Sequence, residues 1–417
     1  MTTSAEPSAD PRPRVGARYI GGLAVSSLGM WMALYTPVQV LLAQQLATIT
    51  PTGKESALGL VTGLGALVAL VVSPLAGALS DHTRSRFGPR RPWVAGGAVV
   101  GAAGLLFLFG QSSVAGVALG WAVVQGGLAA MLAGLVAEVP DRVPVGQRGI
   151  VSAWLGATQP IATLAGTVLV TVLITGGTGY AALAALLLLA TVPFLLTPRD
   201  TTAERPSKRF RPGGFLRSLL VDPRRYPDFG YAWLTRLLFQ LGNATSTVFL
   251  LYFLRDEIHY ERLFPGHRAE QGLLLLILIY SAGIVLSAFL CGWVSDRLGR
   301  RKVLVSAAGL TIAAASVVLI LWPTWQLTLV SAALLGVGYG GYVSVDQALI
   351  TQVLPDATTR GKDLGVINIA NALSHVLGPT VAAVMVTSLG GYPALFAFSA
   401  VVALLGAVLV HRIKSVA

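Results

Sequence analysis

Cysteine is almost missing from this 417-residue chain: Cys291 stands alone, which excludes an intramolecular disulfide and a cysteine-based metal cluster. Histidine is nearly as sparse. His82, His259, His267, His375 and His411 form no His-x-x-x-His or His-Glu pairing, so neither an enzyme's converging groups nor a cofactor or metal is expected. Charge is scarce too: Asp, Glu, Lys and Arg make up 12% of residues, 54% are hydrophobic, and mean hydropathy is +0.71. A soluble domain carries about twice that charged share. So little polar surface cannot cover a water-soluble body of this size. Acids are the rarer sign, 18 against 30 basic residues, giving a net charge of +12. The basic residues punctuate apolar runs instead of clustering on a polar domain, which argues against a nucleic-acid partner and for a lipid bilayer as solvent. A cleavable leader is not expected, because the first apolar stretch is too long and lacks a small-residue cleavage pattern. Residues 1–18 read as a disordered cytoplasmic tail.

What the chain has in abundance is long apolar runs. A bilayer core of about 30 Å takes roughly 20 helical residues, and backbone groups in lipid must be satisfied within the segment. The runs predict an all-α membrane protein with twelve spans, at 19–46, 57–80, 92–110, 113–137, 149–174, 180–197, 229–254, 271–295, 303–322, 326–350, 363–387 and 392–411. The longest polar stretch, residues 198–228, divides six spans (19–197) from six (229–417) and reads as a cytoplasmic linker. Orientation follows from Lys and Arg in the loops. One side collects Arg84, Arg86, Arg90, Arg91, Arg142, Arg148, eight residues between Arg199 and Arg225, Arg297, Arg300, Arg301, Lys302, Arg360, Lys362, Arg412 and Lys414. The other keeps only Lys54, Arg255, Arg262 and Arg268. Both termini are therefore expected in the cytoplasm, with the plasma membrane as the location.

The two halves repeat. Gly77-x-x-x-Asp81, Gly88 and the pair Arg90-Arg91 recur as Gly292-x-x-x-Asp296, Arg297, Gly299 and Arg300-Arg301, with Gly77 and Gly292 215 positions apart. Pro140-Asp141 and Pro355-Asp356 share that offset, and Leu28-Gly29 matches Leu241-Gly242 at 213. Parallel six-helix halves related by an axis along the membrane normal account for this. Gly77 and Asp81 share a helix face, and glycine there would let a neighbouring helix approach. Asp81 and Asp296 can accept hydrogen bonds from Arg side chains, which predicts a cytoplasmic latch made in one access state and broken in the other. The competing reading is a topology signal that only keeps basic loops inside.

The paired motif resembles the loop signature of the major facilitator superfamily. The first copy, with His82 in place of the usual Arg and four added residues before Gly88, is similar to the glycoside and sucrose cation-symporter branch. So is the run from Leu354-Pro355-Asp356 through Arg360-Gly361-Lys362-Asp363 to Asn368 and Asn371. The resemblance implies a secondary transporter working by alternating access, with a sugar or glycoside-like solute as the small-molecule substrate, and a monomer. Sodium-coupled members use carboxylates in the second span, and proton-coupled sugar porters often use one in the first; both spans lack acids here. Sodium coupling is therefore not expected. The alternative is a proton-driven exporter of drugs or secondary metabolites, although Ala153 to Gly166 does not match the exporters' fifth-span motif. A non-transporting membrane sensor is the reading outside the class.

Polar residues within the spans are costly and hence candidates for function. The seventh span sets Arg236, Gln240 and Asn243 on one stripe, the tenth Tyr339, Tyr342 and Asp346, and the eleventh Asn368, Asn371 and His375. The first adds Trp31, Tyr35 and Gln39, the fourth Gln125, and the fifth Trp154 and Gln159. Together they predict a central cavity with amides and flat aromatic faces. Interhelical glue, at roughly 0.6–2 kcal/mol per contact, is the bland reading for any single amide. A carboxylate exposed alternately to each side is the minimum equipment for proton coupling, which places Asp346 in that role with Arg236 as counter-charge and His375 assisting. A fixed structural ion pair is the competing reading. Glu138 reads as interfacial, and Trp93, Trp322 and Trp325 as interface anchors.

Overall fold

The computed structural model describes residues 14–174, 177–198, 226–298, 300–353 and 360–414. The first 13 residues of the expected tail and nearly all of the expected linker lie outside them, as do the side chains of Asp296 and Asn368. Twelve helical spans follow one another. In the first half they are α1 (Ala17–Ile49), α2 (Lys54–His82), α3 (Arg91–Phe109), α4 (Val114–Arg142), α5 (Val145–Val168, continued to Leu173) and α6 (Thr178–Leu195). In the second they are α7 (Pro227–Val248, then Leu250–Asp256), α8 (Ala269–Leu298), α9 (Arg301–Leu321), α10 (Trp325–Val353), α11 (Arg360–Ser388) and α12 (Gly391–Leu409). Eleven are long and apolar enough to cross a membrane singly, and α7 becomes the twelfth when its two parts count as one. No strand occurs among the described residues. Helices α2, α4 and α10 run past the apolar stretches that define them in sequence. A helix also satisfies its own backbone at the polar boundary, so hydropathy marks only the part inside lipid.

The halves are built alike. In the first, α1 packs on α5 and α6, α4 on α2 and α3, and α3 on α6; in the second, the counterparts α7 with α11 and α12, α10 with α8 and α9, and α9 with α12 repeat the pattern. Small residues bring these helices together, as expected where lipid offers no hydrophobic drive between spans. A Cβ placed on Gly127 of α4 would lie 2.5 Å from the Gly101 nitrogen and 2.7 Å from the Gly97 oxygen of α3, both backbone atoms. Gly127→Leu must therefore separate the two helices, and overpacking of this kind costs about 1–3 kcal/mol or more. A clear fall in melting temperature in detergent is expected; an unchanged melt would mean that α3 and α4 do not meet this closely.

Two interruptions occur at equivalent depth. In α1, Pro37 lacks an N–H to donate, and the helix widens into a π turn over Pro37–Leu41. At the corresponding place α7, expected as one straight span, bends by 41° at Phe249. Thr245 and Thr247 hydroxyls donate back to the carbonyls of Leu241 and Asn243 at 2.7 and 2.9 Å. Such back-bonding loosens the ladder and bends helices. The short outer part of α7 is then held by the first half, where the Tyr252 hydroxyl donates to the Ala43 carbonyl at 2.8 Å.

Candidate functional site

The polar stripes of the second half converge. Arg236 Nη1 on α7 lies 3.0 Å from Asp346 Oδ2 on α10, and each residue is only 6% exposed. Removing one member would strand an uncompensated charge, so further bonds matter. Arg236 Nε donates to Asn371 Oδ1 on α11 at 2.9 Å, and Gln240 Nε2 donates to the same oxygen at 3.0 Å. Gln240 in turn accepts from the Tyr339 hydroxyl at 2.5 Å. The spacing of four on α7 stacks Arg236 under Gln240, and that of seven on α10 sets Asp346 two turns from Tyr339. Tyr342 stacks on Phe239, ring centroids 4.3 Å apart. Its hydroxyl is buried with no hydrogen-bond partner among the described residues. Asn243 accepts from the Tyr280 hydroxyl of α8 at 2.8 Å, and Tyr280 stacks with Tyr339.

The first half presents a smaller polar face. Trp31 stacks on Tyr35 at 5.6 Å, and Gln159 Nε2 of α5 donates to the Tyr35 hydroxyl at 2.8 Å. Gln159 is exposed and Tyr35 partly so, and Tyr35 lies near Tyr339 of the other half. The exposed Gln159 and the partly exposed Tyr35 thus lie on the side of the first half that looks towards Tyr339. Gln39 lies in the π turn of α1 with its Oε1 buried and unpartnered among the described residues. Gln125 packs beside Gly65 of α2. Trp154 is 58% exposed on the face that also carries the exposed Ile150 and Ile161, roughly 140° around α5 from Gln159 at 100° per residue. That face is apolar and suits acyl chains. His375 follows Asn371 by one turn and is exposed, whereas Asp346 pairs with Arg236.

At the end of the molecule that carries the termini, Arg90 bridges α2 and α4. It pairs with Asp81, reaches Asp141 Oδ2 at 2.8 Å and donates to Ser80 Oγ at 2.5 Å. Arg91 is buried and ties α3 to the end of α6 through the Thr197 carbonyl at 2.8 Å. Arg297 covers the Trp293 ring at 3.9 Å, while Arg300 caps α9 and Arg301 opens it. Among the described residues the expected close approach at the motif glycines is not seen: a Cβ on Gly77 or Gly292 would meet nothing within 4 Å. Farther along the same helix, Gly59 and Gly63 press on Ala383 and Thr380 of α11. So α2 and α11 touch at the end away from Gly77. Glu138, expected at the interface, is buried and accepts from the Tyr19 hydroxyl at 2.7 Å. Trp325, expected as an anchor, is buried among Tyr260 and Phe264.

At the opposite, distal end lies a cluster that the sequence reading passed over. Lys54 Nζ of α2 pairs with Asp256 Oδ1 of α7 at 2.6 Å and sits over the Tyr252 ring. Gln44 Nε2 of α1 donates to Glu270 Oε1 of α8 at 2.6 Å, and Arg255 pairs with the same carboxylate. Arg268 donates to the Thr171 carbonyl at 3.0 Å. Side-chain bonds from Gln44, Lys54, Tyr252 and Arg268 thus join the two halves at this end. The available signal was that Lys54, Arg255 and Arg268 broke the charge asymmetry of the loops.

Comparison with known proteins places this geometry. The profile of the Major Facilitator Superfamily matches residues 20–267 and 232–415. An uncharacterized MFS-type transporter, YfiU of Bacillus subtilis, is 29% identical over 129 residues, 31% of this chain and 24% of its own length. The lactose permease of Lactobacillus helveticus is 45% identical over 58 residues, 13% of this chain and 9% of its own. The chain thus aligns with a quarter or less of these curated relatives. A crystal structure of a variant of the nucleoside transporter NupG superposes with a TM-score of 0.77 at 12% identity, covering 95% of this chain and 100% of that one. At that identity the likeness concerns the fold, and with the profile spanning nearly every helix, the chain belongs to the major facilitator superfamily of membrane transporters.

Proposed function

We propose that the protein is a proton-coupled secondary transporter of a small, uncharged, polar organic solute, sugar- or glycoside-like, acting as a monomer in the plasma membrane. The observation that carries this reading is the Arg236–Asp346 pair, buried between α7 and α10 and tied through Asn371 and Gln240 to Tyr339. Those last groups border a crevice that Tyr35 and Gln159 face from the other half. Because the pair neutralises itself, the described lining offers no unmatched charge to a charged cargo, while the amides and stacked rings suit hydroxyl groups and flat apolar faces. The short stretch shared with a lactose permease is consistent with that cargo class. With the basic termini-bearing end in the cytoplasm, the joined distal cluster and the open surroundings of Gly77 among the described residues support an inward-open state. Gly77 and Asp81 are then released from α11, and the latch forms when the halves rock the other way. The test is a flux panel in proteoliposomes, comparing neutral glycosides, charged peptides and amphipathic drugs with and without a pH gradient. Uphill accumulation of a neutral glycoside is expected. Gradient-driven extrusion of drugs alone would replace this reading with a proton-driven exporter, and flux of none of them would favour a sensor.

A further inference from the structure

Away from the crevice, α9 and α12 approach so closely, Gly309 against Ala407, that a furrow of about 390 Å³ runs between them on the outer wall. Ala407 forms its floor, and Leu310, Leu404 and Val408, all exposed, form its sides. At the end nearest the termini the lining turns polar, with Ser306, His411 and Arg412. Ser306 Oγ donates to the Ala407 carbonyl at 2.8 Å and lies 2.8 Å from His411 Nε2, which fixes the imidazole at the mouth. Lys302 precedes Ser306 by one turn on α9 and shares its face. Among the described residues neither Lys302 nor Arg412 has an ion-pair partner, and no acid lines the furrow.

An apolar trough capped by cations that have no acid partner among the described residues matches the two ends of one molecule class. We infer that the furrow is a binding site for one anionic phospholipid, its acyl chain along Leu310, Leu404 and Val408 and its phosphate between Lys302, His411 and Arg412. A zwitterionic lipid would bring an ammonium group into a mouth with no acid to receive it. Basic pockets between spans on the Lys- and Arg-rich side are known to recognise anionic headgroups on these terms. The site stands apart from the crevice and does not depend on the nature of the cargo.

Native mass spectrometry of the full chain in detergent, with equimolar dioleoyl phosphatidylglycerol and dioleoyl phosphatidylcholine, tests the assignment. One phosphatidylglycerol is expected to be retained in preference. Each surface cation contributes roughly fivefold in affinity, so Lys302→Gln with Arg412→Gln should lower the preference by about 25-fold. Val408→Trp, at an exposed position, should exclude both lipids while every cation stays in place. Glycerol phosphate at the same concentration should not compete. Equal retention of the two lipids by the unaltered protein, an undiminished preference in the double variant, or full competition by glycerol phosphate would each overturn the assignment.

Discussion

Asp346→Asn is expected to reduce pH-gradient-driven accumulation to background while downhill exchange of the same solute continues. The side chain lies between α7 and α10, and Arg236 satisfies it. A transported proton must replace that partnership for part of the cycle, and an amide cannot take the proton. The single variant has a second consequence that must be separated from the first. It strands the Arg236 guanidinium in the interior, and breaking a buried pair in this way costs about 3–5 kcal/mol. Asp346→Asn combined with Arg236→Gln removes both charges and should recover most of that loss, because an uncharged pair of similar shape is often no less stable than a buried ion pair. The double variant should melt close to the unaltered protein and still fail to concentrate substrate. If either variant concentrates solute against its gradient, the proton travels through another group.

The distal cluster supports the second large effect. Lys54→Gln with Glu270→Gln should shift the resting population away from the state in which the distal end is joined. The two links are not equal. The Lys54 and Asp256 side chains are 16% and 34% exposed, and a pair so open to water contributes little, about 1 kcal/mol at most. Glu270 is 2% exposed and holds Gln44 of the other half as well as Arg255 of its own. Charge-assisted bonds of this kind contribute about 1.5–3 kcal/mol, so most of the effect belongs to Glu270. That range corresponds to a shift of roughly ten- to a hundredfold in the ratio of states. A cysteine at Gln159 in a Cys291→Ser background reports on the crevice. Its labelling by an impermeant maleimide from the distal side should accelerate by about that factor, and unchanged labelling would remove the cluster from the gating scheme.

Much of this arrangement could be read from spacing. Arg236, Gln240 and Asn243 on one stripe, and Tyr339, Tyr342 and Asp346 on another, identify the faces that must avoid lipid, and the structure joins those stripes through Asn371. Spacing gives the face of a helix but not its partner. Tyr280 escaped notice because it stands alone in an apolar run, yet it holds Asn243. Trp154 attracted notice as an aromatic in a span, but it shares its face with Ile150 and Ile161. The pairing within the distal cluster was illegible for a different reason. Lys54 and Asp256 are 202 residues apart and Gln44 and Glu270 are 226 apart, so no local pattern relates them. Glu138 shows the same limit: its position beside Pro140 suggested a wetted helix end, whereas Tyr19 covers it from 119 residues away.

The paired interruptions of α1 and α7 have a mechanical consequence. A helix that has lost its regular backbone bonding at one level is compliant there and stiff elsewhere. Because the weak level is shared by both halves, the outer tips, Leu42–Ile49 and Leu250–Asp256, can tilt as short levers of roughly 10–12 Å before either bundle turns as a body. Sealing off the cargo and swinging the bundles then become separable events, each with its own barrier.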